Sequence, residues 1–205
     1  GVESKNAFAG VYLASRGDAK KRNPLSNRSL IHLQRACMEA DDDLRWLIAM
    51  ISDTGMRLAE AAGLHVDDIV LGDVPYVYVK PHTWRSLKTA SSERKIPLVG
   101  ASLWAAKRIK SMSDSYCFPR YVDGVKCNSN SASAALNKWL KTATKQDVVI
   151  HGLRHTFRDR LRAVEAPLDM IDQLGGWSLQ SVGQSYGDGY SIDKLSEWML
   201  KLKEE

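Results

Sequence analysis

The sequence predicts a mainly α-helical domain carrying one small three-stranded antiparallel sheet. Apolar residues recur at helical spacing both before residue 63 and after residue 100. Between those two regions lie three short β-branched or aromatic runs, separated by Gly, Asp, Ser and Thr. No internal repeat or low-complexity tract interrupts this plan. The hydrophobic share of 44% and charged share of 26% are ordinary for a globular chain.

Taken in order, residues 1–24 hold Gly10, Gly17 and Pro24 among basic residues and show no sustained period, which reads as a linker. Ser26 is a cap for a helix starting near Asn27, with Leu30, Leu33 and Cys37 on one side. A second helix is expected over 43–54, with Leu44, Leu47, Ile48 and Ile51 as its buried stripe and Gly55 as its stop. A short third helix over 57–62 ends at Gly63. Ile69-Val70-Leu71, Tyr76-Val77-Tyr78-Val79 and Arg94-Lys95-Ile96-Pro97-Leu98 supply the strands, and residues 86–93 join the second to the third. Helices return over 101–112 and over 131–144. The latter is expected to bury Ala132, Ala135, Leu136, Trp139, Leu140 and Ala143. Further helices follow over 152–164, with Leu153, Phe157, Leu161 and Val164 inward, and over 167–174. The last covers 192–203, with Leu195, Trp198, Met199 and Leu202 on one face.

Composition narrows the function classes. No apolar run approaches the roughly 20 residues that a membrane span needs. Cys37, Cys117 and Cys127 form an odd set without a C-x-x-C pair, so neither a disulfide framework nor a zinc site is implied and a reducing cytoplasm is expected. The opening Gly1-Val2-Glu3-Ser4 lacks an initiator Met and a signal pattern, which leads to the expectation of a fragment of a longer protein. A net charge of +5 favours an anionic partner. Basic residues crowd two stretches: Arg16, Lys20, Lys21, Arg22 and Arg28, then Lys80, Arg85, Lys88, Arg94 and Lys95. Solvated surface charge would explain the same distribution.

Three motifs carry chemistry. Thr54-Gly55-Met56-Arg57-Leu58-Ala59-Glu60 sets an Arg and a Glu one helical turn apart, just after a glycine. His151-Gly152-Leu153-Arg154 places a His and an Arg three apart at a helix start. Leu174-Gly175-Gly176-Trp177-Ser178 is followed, nine residues after Trp177, by Tyr186. In order, separation and placement these motifs resemble the tyrosine recombinase (phage integrase) family, over residues 25–203.

The resemblance implies the fold of that family's DNA breaking-rejoining catalytic domain and a role for each matched position. Arg57 matches the first catalytic arginine and Glu60 its nearby acidic residue. Lys88 matches the lysine of the strand-joining loop, since Lys88-Thr89 precedes Ser92, Arg94 and Pro97 in the family's manner, with Lys80 and Lys95 as rival lysines. His151 and Arg154 match the H-x-x-R pair. Trp177 stands where many members have histidine and some have tryptophan. Tyr186 matches the nucleophile, with Tyr190 as a rival phenol.

The implied activity is site-specific DNA recombination through a 3′-phosphotyrosyl intermediate, without metal, ATP or other cofactor. The tail around Tyr186 to Ser191 suggests an integrase of a prophage or genomic island. The implied partners are double-stranded DNA and other copies of the chain in a tetrameric synapse, with no membrane, in the bacterial cytoplasm at the nucleoid. Residues 1–24 become a basic interdomain linker and 25–205 the catalytic domain, with an N-terminal core-binding domain absent. The isolated chain is then expected to bind DNA weakly and cleave poorly. Tight site-specific binding by residues 1–205 in a titration would contradict that. Whether the C-terminal stripe packs on its own domain or on a neighbour stays open.

Physical logic supports these roles. A tyrosine phenol with its ordinary pKa near 10 is ionised in only about one molecule in a thousand at pH 7. It needs a base or a cationic surrounding to attack phosphorus. Two guanidinium forks, Arg57 and Arg154, suit the geometry and charge of a phosphorane-like transition state. His151 is of the residue type able to take the phenol proton near neutrality. Lys88 would protonate the departing 5′-oxygen. Trp177 can donate through its indole N–H but cannot shuttle a proton. Other readings remain: a catalytically silent DNA-binding protein on the same fold, a type IB topoisomerase, or a helical adaptor with accidental matches. The last predicts that the motif residues lie scattered.

Overall fold

In a computed structural model of the chain, residues 24–177 and 189–202 are described. Eight α-helices, three single 3-10 turns and one sheet lie within them. The helices are α1 (Asn27–Ala40), α2 (Asp43–Thr54), α3 (Leu58–Ala62), α4 (Gly100–Met112), α5 (Ser129–Thr144), α6 (Ile150–Ala163), α7 (Leu168–Gly175) and α8 (Ile192–Lys201). The strands are β1 (Ile69–Val70), β2 (Tyr76–Val79) and β3 (Arg94–Pro97), antiparallel in the order β1-β2-β3. The mainly α plan with one small sheet is therefore as the sequence predicts.

Local chemistry explains the boundaries. Ser26 caps α1 by accepting from the Ser29 N–H, and Asp42 caps α2 by accepting from the Arg45 N–H. Gly55 ends α2 in the left-handed region at φ 60°, where a Cβ is unfavourable. The first strand stops at Val70, and Leu71 is exposed.

The core centres on α2, which packs against α1, α4 and α6. Residues 46–54 of α2 are all buried, so the helix is covered all round and the predicted single stripe is too narrow. Near its end, Asp53 accepts from the backbone N–H groups of Ala101 and Ser102 at the start of α4, and from Arg160 at 2.8 Å. A carboxylate buried in the core is thereby matched by a helix N-terminus and a guanidinium.

On α5 the stripe narrows. Ala132, Leu136 and Leu140 are buried, Trp139 and Ala143 are half-buried, and Ala135 is exposed, correcting the expectation for Ala135. Arg45 lies over the Trp139 ring at 4.7 Å, at the edge of the core. Leu195, Met199 and Leu202 bury against the chain's own core, with α8 beside β3. The Leu202 carbonyl accepts from Arg160 at 2.8 Å. Leu25 begins the packed unit, its N–H donating to Thr156 Oγ1 on α6. No helix among the described residues is long and apolar enough to cross a membrane.

Candidate active site

Four arginines from three parts of the chain converge where α3, β3, α6 and the end of α7 meet. Arg57, the residue before α3, donates to Glu60 Oε1 at 2.6 Å, to Ser92 Oγ at 3.0 Å and to the Gly176 carbonyl at 3.3 Å. Arg94 arrives from the opposite side because β3 alternates: residues 94 and 96 face inward and Lys95 faces out. Its guanidinium donates to the Leu174 carbonyl at 2.8 Å, the Ser92 carbonyl at 2.6 Å and Glu60 Oε2 at 3.0 Å.

Glu60 is the hub of this pair. Burial alone would raise its carboxyl pKa, but the charge and hydrogen bond of Arg94, and then the bonds from Arg57, hold it below the usual value. The carbonyls of Leu174 and Gly176 mark the negative end of α7, aimed at the same cations.

Arg154 forms the floor of the site. It is 4% exposed and donates through Nη1 to the Gly55 carbonyl, while its buried Nη2 has no hydrogen-bond partner among the described residues. Burial, followed by the like charges of Arg57 and Arg94, pushes its pKa down to about 9. Arg158, one turn further along α6, donates to Asp172 Oδ1 at 3.3 Å.

Trp177 closes the cluster, with the Arg154 and Arg158 guanidinium carbons 4.3 and 4.7 Å from its ring centroid. The two glycines before it make that seat. A Cβ at Gly175 would stand 1.7 Å from the Trp177 ring. Gly176 sits in the left-handed region at φ 63°, with Arg94 Nη1 2.7 Å from where its Cβ would be.

The remaining sequence-predicted residues fall as follows. His151 lies in the first turn of α6, exposed, with its ring edge-on to His155 at 5.3 Å. Lys88 is exposed on the loop between β2 and β3, next to Thr89, whose hydroxyl bonds Ser92, which in turn bonds Arg57. Tyr186 lies outside the described residues. Its rival Tyr190 is engaged: the phenol donates to Asp169, and slight burial and then that carboxylate raise its pKa.

Arg57, Arg154 and Trp177 are thus brought together, while His151 sits exposed one turn before Arg154 on the same helix. Arg94 and Arg158 were not among the predicted site residues. Arg158 follows Arg154 by four positions on one helix, and Arg94 occupies an inward strand position. Either spacing could have marked them. Among the described residues no group of three His, Cys, Asp or Glu is arranged to hold a metal.

The model of the phage integrase family matches residues 23–190. The tyrosine recombinase XerC of Neisseria meningitidis serogroup B is 25% identical over 145 residues, covering 68% of this chain and 46% of that protein. The XerC of Proteus mirabilis is 28% identical over 151 residues, covering 69% and 46%. The chain therefore spans about half the length of the curated relatives it matches. Among solved structures, the Tn1549 transposon integrase in complex with transposon right end DNA aligns with a TM-score of 0.65 at 17% identity, over 92% of this chain and 69% of that one. The XerA recombinase aligns at 0.60 and 16% identity, over 88% and 60%. Both likenesses are of fold. With the family model covering most of its length and the motif arginines gathered in one pocket, this chain belongs to the phage integrase family.

Proposed function

We propose that this chain is the catalytic domain of a site-specific DNA recombinase, acting in the bacterial cytoplasm on double-stranded DNA. One observation carries the reading: Arg154 holds a buried guanidinium N–H with no partner, inside a cup where Arg57, Arg94 and Arg158 outnumber Glu60 and Asp172. A desolvated cation with an unused donor is costly unless an anion completes it. A phosphodiester presents oxygens suited to such forks.

In this reading the Tyr186 oxygen attacks phosphorus, forming the O–P bond while the P–O5′ bond breaks. The phenol proton passes to His151, and Lys88 gives a proton to the departing 5′-oxygen. Arg57 and Arg154 hold the non-bridging oxygens as charge builds on them, and Trp177 braces the guanidinium of Arg154. Reversal with a new 5′-hydroxyl rejoins the strand, with no outside energy source because the ester keeps the bond energy. Residues 1–24 serve as the basic linker, and further copies of the chain complete a tetrameric synapse. A prophage or genomic island is the proposed carrier. Curated relatives named tyrosine recombinase support this assignment. So does the solved transposon integrase bound to its own DNA end.

The test is covalent trapping on nicked duplexes drawn from a random-sequence pool, whose 5′ fragment diffuses away after cleavage. A denaturant-resistant protein–DNA band is expected, and it should vanish in Tyr186→Phe. An equal band in Tyr186→Phe would transfer the role to Tyr190. DNA binding without any band would favour the silent DNA-binding reading. Supercoil relaxation without site preference would favour a topoisomerase.

A further inference from the structure

The loop that carries Lys88 is tied to Glu60 at both of its ends. At the far end, Arg94 holds the Glu60 carboxylate. At the near end, Arg85 is buried and donates through Nη1 to the Glu60 backbone carbonyl at 3.1 Å, and through Nη2 to the Lys80 carbonyl. Gly63 clears the way, since a Cβ there would stand 2.7 Å from Arg85 Cδ.

The same end has further anchors. His82 and Arg85 exchange backbone hydrogen bonds at 2.9 and 3.1 Å, closing a tight turn. His82 Nε2 lies 2.7 Å from the buried Asp68 carboxylate, and its ring stacks on Trp84 at 4.4 Å. The Trp84 indole donates to the Gly63 carbonyl at 3.0 Å. Between the two fixed ends only residues 86–91 remain as a span, exposed apart from Leu87, which leans on the core.

We propose that Arg85 is a positioning residue for strand cleavage: by fastening the near end of this loop to the Glu60 carbonyl, it shortens the tether of Lys88 and holds the ammonium over the arginine cup. This rests on the reading of Lys88 as the proton donor to the leaving 5′-oxygen. A longer tether would let the ammonium spread over many positions, and misplacing a reacting group by about 1 Å can cost about a hundredfold in rate. Any disturbance that reached Arg57 through Glu60 or Ser92 would weaken the grip on phosphate and slow cleavage whatever the leaving group.

Leaving-group chemistry isolates the effect. When the bridging 5′-oxygen is replaced by sulfur, the departing group is a thiolate, with a thiol pKa of about 8.5, and needs no proton donor. On a nicked duplex selected by trapping with the unaltered chain, Arg85→Met is expected to slow single-turnover cleavage about a hundredfold with oxygen and to change it little with sulfur. Lys88→Ala, run alongside, should show the same selectivity. Equal slowing of both substrates by Arg85→Met, with Lys88→Ala rescued by sulfur, overturns the role of Arg85 alone. Failure of sulfur to rescue Lys88→Ala overturns the Lys88 reading and this proposal with it. Should Arg85→Met not fold, two glycines inserted between Ser86 and Leu87 lengthen the tether with Arg85 in place. That insertion must reproduce the oxygen-selective loss, and full activity in it rejects the proposal.

Discussion

Arg154→Met is expected to lower strand cleavage by about 10²–10³, the usual cost of losing one fixed donor to transition-state charge, while leaving the empty protein at least as stable as before. Both halves follow from one geometry. The guanidinium is buried, leaves Nη2 without a partner and has its pKa pushed down to about 9 by burial and by Arg57 and Arg94. Because the folded value lies below that of the unfolded chain, the folded state loses this proton first as pH rises. The stability penalty is therefore present in full at neutral pH and fades only above about pH 9. Removing the charge lifts that desolvation penalty, which offsets the roughly 1–3 kcal/mol cost of leaving the Gly55 carbonyl without its donor.

The same reasoning predicts that an anion relieves the penalty. Inorganic phosphate at about a hundred times its dissociation constant would add about 2.7 kcal/mol to the folded state, or about 5–10 °C in Tm for a chain of this size. Thermal melts in phosphate against chloride of equal ionic strength check this. The shift should be absent in Arg154→Met. A shift of equal size in the variant would mean that the anion binds elsewhere.

Gly55→Ala is expected to destabilise the fold by about 2–5 kcal/mol, from about 1–2 kcal/mol for a Cβ in the left-handed region and about 1–3 for overpacking. The new Cβ would lie 2.3 Å from Cδ1 of Phe157, a ring buried in the core with no room to retreat. Chemical denaturation gives the value directly. The Gly55 carbonyl also accepts the Arg154 bond, so cleavage should fall beyond what the unfolded fraction explains. A variant as stable as the parent would show that α2 and α6 can slide apart, against the close packing seen between them.

The helices and strands were legible in the sequence because each rests on local chemistry. Ser26 before Asn27, Gly55 after Thr54 and the alternation Val77, Val79 against Tyr76, Tyr78 need only near neighbours to act. The errors came where distant packing decides. The stripe assigned to α2 was too narrow because a central helix is covered from α1, α4 and α6 at once. Ala135 was placed inside because helical spacing says which residues share a face, not how wide a strip the neighbours cover.

The site divides along the same line. Sequence alone determined which groups stand where along the chain: Arg57 at a helix start, His151 and Arg154 on one turn, Trp177 after two glycines. Tertiary structure decided that Arg94 reaches Glu60 to join them, that Arg158 shares the Trp177 ring, and that Nη2 of Arg154 is buried without a partner. Spacing along a backbone sets which side chains can share a turn. Burial and charge balance arise only when segments as far apart as residues 57, 94, 154 and 176 are folded into contact.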